Sequence, residues 1–229
     1  MAFASPKAIS TQAELVIFDC DGVLIDSEAI ACRTDSACLA ELGITISADE
    51  VMDRYLGISA ATMCRDIERL YGLTLPEGFG ATLHRRVAEV FDAELAAMPG
   101  VEVLLQALRH RRCVASSSAP ERLHHSLSVA GLLCYFEPHI FSATQVPRGK
   151  PAPDLFLFAA NAMQVAAASC IVVEDSVPGV QAAVAAGIQV IGFTGGGHCR
   201  SGHAERLRAA GAVAIAADIR SLSALLSPA

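Results

Sequence analysis

"FDCDGVLIDSE", Phe18 to Glu28, follows an apolar run and places Asp19, Asp21 and Asp26 within eight positions. The preceding residues, Glu14 to Asp19 (ELVIFD), read as a short, fully buried strand rich in β-branched and aromatic side chains, and Asp21-Gly22 reads as a turn. Carboxylates at the end of a buried strand repel one another and resist desolvation. Either a positive charge offsets them or one of them does chemistry.

Downstream of this stretch the pattern turns helical from Ser27 to Gly43, with Gly43 placed to end the helix. Ser47 to Tyr55, Ala60 to Tyr71 and Pro76 to Ala97 continue in helical style, and Ser47 with Glu50 fits a capping box. At Met98-Pro99-Gly100 the style changes to alternating strands and helices. RCVAS (Arg112 to Ser116), HIFS (His139 to Ser142), CIVV (Cys170 to Val173) and QVIGF (Gln189 to Phe193) read as strands, and Ala212 to Ile215 as an edge strand. Such alternation implies a parallel sheet covered on both faces. The fold class is therefore α/β, a Rossmann-like parallel core interrupted after its first strand by an all-α insert. Residues 1–27 and 99–229 form the core and 28–98 the helical insert.

The bulk composition fits this reading. Apolar residues make up 53% and charged residues 18% of 229, enough for a sizeable core. A net charge of −7 argues against nucleic acid or an anionic membrane as partner. Lysine occurs only at Lys7 and Lys150, so an internal lysine is singular. The eight cysteines are irregularly spaced without a CxxC pair and read as reduced thiols of a cytoplasmic protein. MAFASPKAISTQ lacks the apolar core of a signal peptide, and no run approaches the roughly 20 apolar residues of a membrane span.

In an open parallel sheet, ligands bind at the carboxyl ends of the strands. Here those ends carry Asp19 and Asp21, Ser116-Ser117-Ser118, Gly149-Lys150-Pro151, and Glu174-Asp175. If the strands are neighbours, four carboxylates, hydroxyls and the internal lysine converge. The donor set suits a hard cation such as Mg²⁺ with a phosphate ester, Lys150 and the serines meeting phosphate oxygens. A carboxylate about 3 Å from phosphorus is poised for in-line attack.

"FDCDGVLIDSE", "VASSS", "GKPAPDLF" and "VVEDSVPGVQAAVAAG" together resemble the haloacid dehalogenase superfamily, in its helical-cap branch of phosphatases and β-phosphoglucomutases. The resemblance implies an enzyme with a small-molecule phosphate ester as partner and Mg²⁺ as cofactor. It implies Asp19 as nucleophile, and Asp21 as acid and base with its carbonyl on the metal. Ser116, Ser117 and Lys150 would bind the phosphoryl group; Asp19, Glu174 and Asp175 would complete the metal set. The insert would be a specificity cap, with Arg33, Arg54, Arg65, Arg85 and Arg86 as candidates to grip the substrate. It says nothing about protein partners.

Within the superfamily, Asp21 favours phosphorus chemistry, because dehalogenases lack an acid there. The insert contains no lysine, which speaks against the Schiff-base phosphonate hydrolases. β-Phosphoglucomutases carry a cap histidine and arginine where this chain has Ala31 and Ala60. Hydrolysis is therefore favoured, with the mutase as the alternative, and the chain is similar to sugar-phosphate phosphatases such as the 6-phosphogluconate phosphatases. Cys20 is expected to point away from the site by strand alternation. TGGGHCRSGH, Thr194 to His203, reads as a plain mobile loop, its His198, Cys199 and His203 being poor Mg²⁺ ligands.

Overall fold

The computed structural model describes residues 13–56, 58 and 60–227; the N-terminal stretch expected to lack a signal peptide lies outside them. Six strands form one sheet: β1 (Leu15–Phe18), β2 (Arg111–Ser116), β3 (Ile140–Ser142), β4 (Cys170–Glu174), β5 (Gln189–Phe193) and β6 (Ala214–Ala216). Their order is β3-β2-β1-β4-β5-β6, and every pairing is parallel. The chain winds outward from β1 in one direction, then crosses back to lay β4 on its other flank. The crevice between the carboxyl ends of β1 and β4 is thus the point where the winding reverses, which is where open α/β sheets bind ligands.

The helices are α1 (Glu28–Glu41), α2 (Ala48–Tyr55), α3 (Ala60–Tyr71), α4 (Phe79–Glu94), α5 (Val101–Ala107), α6 (Pro120–Val129), α7 (Asp154–Ala162), α8 (Val177–Ala185), α9 (His203–Ala210) and α10 (Ile219–Leu226). Successive strand residues feed opposite faces. Leu15, Ile17, Cys113, Ala115 and Val172 pack with Leu155 of α7, Val180 of α8 and Leu207 of α9. Val16, Phe18, Val114, Ile171 and Val173 pack with Leu104 of α5, Leu127 of α6 and Leu222 of α10. Cys20 belongs to this second cluster, as strand alternation requires. Both faces are covered, which is why the strands read as unbroken apolar runs instead of alternating ones.

Between β1 and α5 the four helices α1 to α4 gather a cluster of their own, including Leu39, Val51, Met63, Ile67 and Leu83. Each such buried side chain contributes about 1.5–3 kcal/mol. Ser47 and Glu50 form the expected capping box on α2, and Gly43 takes a left-handed φ of 77° after α1. The far half of α4 changes allegiance: Val87 and Phe91, with Leu95 just past its end, join the core cluster of the sheet. The chain leaves and re-enters the core side by side. Met98 N–H donates to the Leu24 carbonyl at 2.8 Å, and Ile25 and Ala97 form an antiparallel bridge.

Candidate active site

β1 delivers Asp19 one residue beyond its last paired position, and β4 delivers Glu174 and Asp175. Carboxylate oxygens of these three acids all lie within 4.8 Å of one another. Lys150, from the loop before α7, extends between two of them: Nζ donates to Asp19 Oδ1 at 2.7 Å and to Glu174 Oε1 at 2.6 Å. Its ammonium also lies 5.1 Å from the Phe156 ring centroid. The other Glu174 oxygen accepts from Ser176 N–H at 2.7 Å and from its hydroxyl at 2.9 Å. Glu174 fits only because residue 179 is glycine; a Cβ there would stand 1.7 Å from Glu174 Oε1.

The charges do not balance: three buried carboxylates face one buried ammonium. Burial and the charges of Glu174 and Asp175 push Asp19 well above the ordinary carboxylate range, against the pull of Lys150. Burial and Glu174 push Asp175 up in the same way. Burial opposes the charge on Lys150, but Asp19 and Glu174 outweigh it and raise its pKa. An all-oxygen donor set with surplus negative charge fits a hard divalent cation.

Asp21 faces elsewhere. Its Oδ1 accepts from Ser27 Oγ at 2.6 Å and pairs with Arg122 Nη2 at 3.4 Å, while Oδ2 accepts from Ser118 Oγ at 2.8 Å. Burial opposes ionisation of Asp21, yet Arg122 and the two hydroxyls outweigh it and hold the carboxyl below its ordinary value. At the end of β2, Ser116 is buried and its Oγ accepts from Ser118 N–H at 3.1 Å; Ser117 is exposed. Lys150 and Glu174 thus meet Asp19 at the β1–β4 crevice, with Ser116 on the neighbouring strand.

A model of the haloacid dehalogenase-like hydrolase family matches residues 13–187. The chain belongs to that family. The 6-phosphogluconate phosphatase of Escherichia coli K12 is 37% identical over 186 residues, covering 81% of this chain and 84% of that protein. A haloacid dehalogenase-like protein of Agrobacterium tumefaciens superposes with a TM-score of 0.83 at 38% identity, covering 93% of this chain and 97% of that one. A haloacid dehalogenase family hydrolase of Deinococcus radiodurans with bound phosphate and sodium superposes with a TM-score of 0.79 at 31% identity, covering 96% and 100%. This haloacid dehalogenase-like hydrolase is an enzyme of the phosphatase kind.

The arginines of the helical insert do not converge on the acids of this hydrolase. Arg33 pairs with Glu94, Arg85 with Glu89 at 3.0 Å, and Arg86 with Glu41 at 2.8 Å, all on exposed surface. Arg65 donates to Thr62 and, like Arg54, is exposed. The arginine that reaches inward is Arg122, on the first turn of α6. Its guanidinium lies 5.3 Å from the Phe91 centroid, and its Nε is buried with no partner. A signal was present in the sequence: a cation in the first turn of a helix opposes the helix dipole, so something else must hold it there. The stretch from Thr194 to His203 is likewise no plain loop. His198 and His203 are buried, and Gly197 N–H donates to Asp26 at 3.0 Å. Among the described residues, no helix is long and apolar enough to cross a membrane.

Proposed function

We propose that this chain is a Mg²⁺-dependent phosphohydrolase of small phosphorylated sugars or sugar acids, working through an aspartyl-phosphate on Asp19. The observation that carries this is Lys150 held between Asp19 and Glu174 at the point where the sheet winding reverses. Asp19 attacks phosphorus, the phosphorus–oxygen bond to the sugar breaks, and the departing oxygen takes a proton from Asp21, which must first bind one against the pull of Arg122 and the two hydroxyls. Asp21 then takes a proton from the water that releases phosphate. Lys150 and Ser116, with Ser117 at the rim, hold the phosphoryl oxygens. Asp19, Asp175 and the Asp21 carbonyl would hold the metal, with Glu174 fixing Lys150 or joining as a further ligand. Bound there, the ion would neutralise charge on the phosphoryl oxygens and on the crowded acids.

Residues 28–98 act as the cap that closes over the leaving group. Arg33, Arg85 and Arg86 are engaged with surface glutamates and Arg54 and Arg65 lie exposed, so Arg122 is the better candidate to meet a second anionic group on the substrate. It is placed between Asp21 and Phe91, and its unpartnered Nε favours a carboxylated substrate such as a sugar-acid phosphate. A histidine is absent at buried Ala31, which favours water over a second sugar hydroxyl as acceptor.

A panel of phosphorylated metabolites assayed for phosphate release with Mg²⁺ tests the reading. Sugar and sugar-acid phosphates should lead the panel, and Asp19→Asn should lose turnover while keeping the fold. Conversion of a sugar 1-phosphate to its 6-phosphate without matching phosphate release would replace the phosphatase with a mutase.

A further inference from the structure

The loop between β5 and α9 brings three soft-metal donors together. One nitrogen of His198, the Cys199 sulfur and one nitrogen of His203 all lie within 4.8 Å of one another. They sit directly behind the acid cluster. His198 Nε2 is 2.9 Å from Asp175 Oδ2, and His203 Nε2 is 2.6 Å from the Asp175 carbonyl oxygen. Glycines seat the His198 ring: a Cβ on Gly22 would lie 2.7 Å from it, and one on Gly196 would lie 2.8 Å from it.

The hydrogen bonding of His198 does not close. Its Nε2 faces both Asp175 Oδ2 and Cys199 Sγ, the latter at 3.4 Å. A protonated Nε2 serves the carboxylate and cannot accept from the thiol. An unprotonated Nε2 serves the thiol and turns its lone pair on the carboxylate. The ring's other nitrogen, Nδ1, is buried with no partner. A cation bound by His198 Nε2 and Cys199 Sγ satisfies imidazole and thiolate at once. His203 is more settled: its Nδ1 lies 3.0 Å from Arg206 Nη2, which can only donate, so Nε2 carries the proton given to Asp175.

We propose that His198, Cys199 and His203 form a site for zinc or a similar soft divalent ion, with the Asp175 carboxylate beside it. Two imidazoles and a thiolate are the three protein ligands of an open tetrahedral zinc site with water in the fourth position, and their nitrogen and sulfur donors discriminate against Mg²⁺. Cys199 is only partly buried, which gives the ion a way in. Occupancy exchanges the hydrogen bond from His203 Nε2 to the Asp175 carbonyl for a metal bond, the proton passing to Nδ1 as exposed Arg206 turns away, and takes from the Asp175 carboxylate its contact with His198. Zinc therefore inhibits phosphate release; this consequence, unlike the binding itself, rests on the proposed role of Asp175 as a Mg²⁺ ligand.

The test uses the full chain, stripped with chelator and titrated with Co²⁺ as a coloured stand-in for zinc. The expected result is one tetrahedral cobalt per chain with a thiolate-to-cobalt absorption band. That band should vanish on added zinc and in Cys199→Ser, and persist in Cys134→Ser. Zinc should abolish Mg²⁺-supported phosphate release by the parent chain and spare that of Cys199→Ser. Absence of a Cys199-dependent band overturns the site. A Cys199-dependent band with phosphate release indifferent to zinc overturns the coupling to Asp175. A chain that shows the band but releases no phosphate under any Mg²⁺ condition overturns the function proposed above and leaves the metal site standing.

Discussion

Lys150 and Asp19 are 131 positions apart in sequence and 2.7 Å apart in space, and neither side chain is more than 10% exposed. Loss of the ammonium leaves Asp19 and Glu174 without their shared counter-charge. Lys150→Met should therefore cost about 3–5 kcal/mol, the range for breaking a buried ion pair. The shift in the urea midpoint at unchanged slope measures it. Phosphate release should fall below detection in the same variant.

Gly179→Ala is ordinarily a favourable change inside a helix. Here the new Cβ would stand 1.7 Å from Glu174 Oε1 and 1.9 Å from its carboxyl carbon. Glu174 must move, and Lys150 with it. A loss of about 1–3 kcal/mol is expected from the overpacking, together with a fall in kcat larger than the change in KM. Thermal unfolding and steady-state kinetics on the same preparation read both.

Arg122→Met should separate substrates by charge. A charged hydrogen bond is worth about 1.5–3 kcal/mol, so KM for a sugar-acid phosphate should rise roughly ten- to a hundredfold. Neutral sugar phosphates should change far less. An equal loss across both classes would assign Arg122 to holding Asp21 instead.

Glu28 opens α1 beside Asp21, and burial with the charges of Asp21 and Asp175 pushes its carboxyl from 4.5 up to about 8. Between those values the folded chain keeps a proton that the unfolded chain has released. Stability should therefore fall as pH rises from 4.5 through about 8. Asp35, pushed by burial up to about 6, adds to the slope over the lower part of the window. Unfolding free energies without divalent cation, collected across this range, should decline for the parent chain and decline less steeply in Glu28→Gln, the remaining slope coming from Asp19, Asp35 and Asp175.

Mg²⁺ that binds only the folded chain raises its melting temperature, by about 2.7 kcal/mol of stability at a hundredfold excess over Kd. Asp175→Asn should remove that rise while its unfolding stays cooperative. Calcium, larger and less demanding in geometry, should stabilise without supporting turnover.

The sheet and its acid cluster were legible in the sequence because each strand is a buried apolar run with a polar end. Glu14 to Asp19 and Cys170 to Glu174 advertise both facts in six and five letters. Helix boundaries marked by chemistry, such as Ser47 with Glu50, fell where expected. What stayed hidden was direction. Arg33, Arg85 and Arg86 share helical spacing with inward-facing residues, and only the packed helices show that glutamates on the outer surface take them. Asp21 sits two residues from Asp19 but turns to Ser27, Ser118 and Arg122, whose proximity depends on three separate elements. His198 and His203 were hidden for the same reason: burial against Asp175 is a property of how a glycine loop lies, which residue types alone do not encode.

The bond from Met98 to Leu24 and the bridge from Ile25 to Ala97 mean that the polypeptide is handed back to the sheet beside the point where it departed. For the strands, then, the chain between needs only to supply the core packing that Val87, Phe91 and Leu95 give here. A helical bundle of another make could be spliced at these two crossings, and a lineage could exchange its substrate repertoire there without disturbing a single β1 pairing.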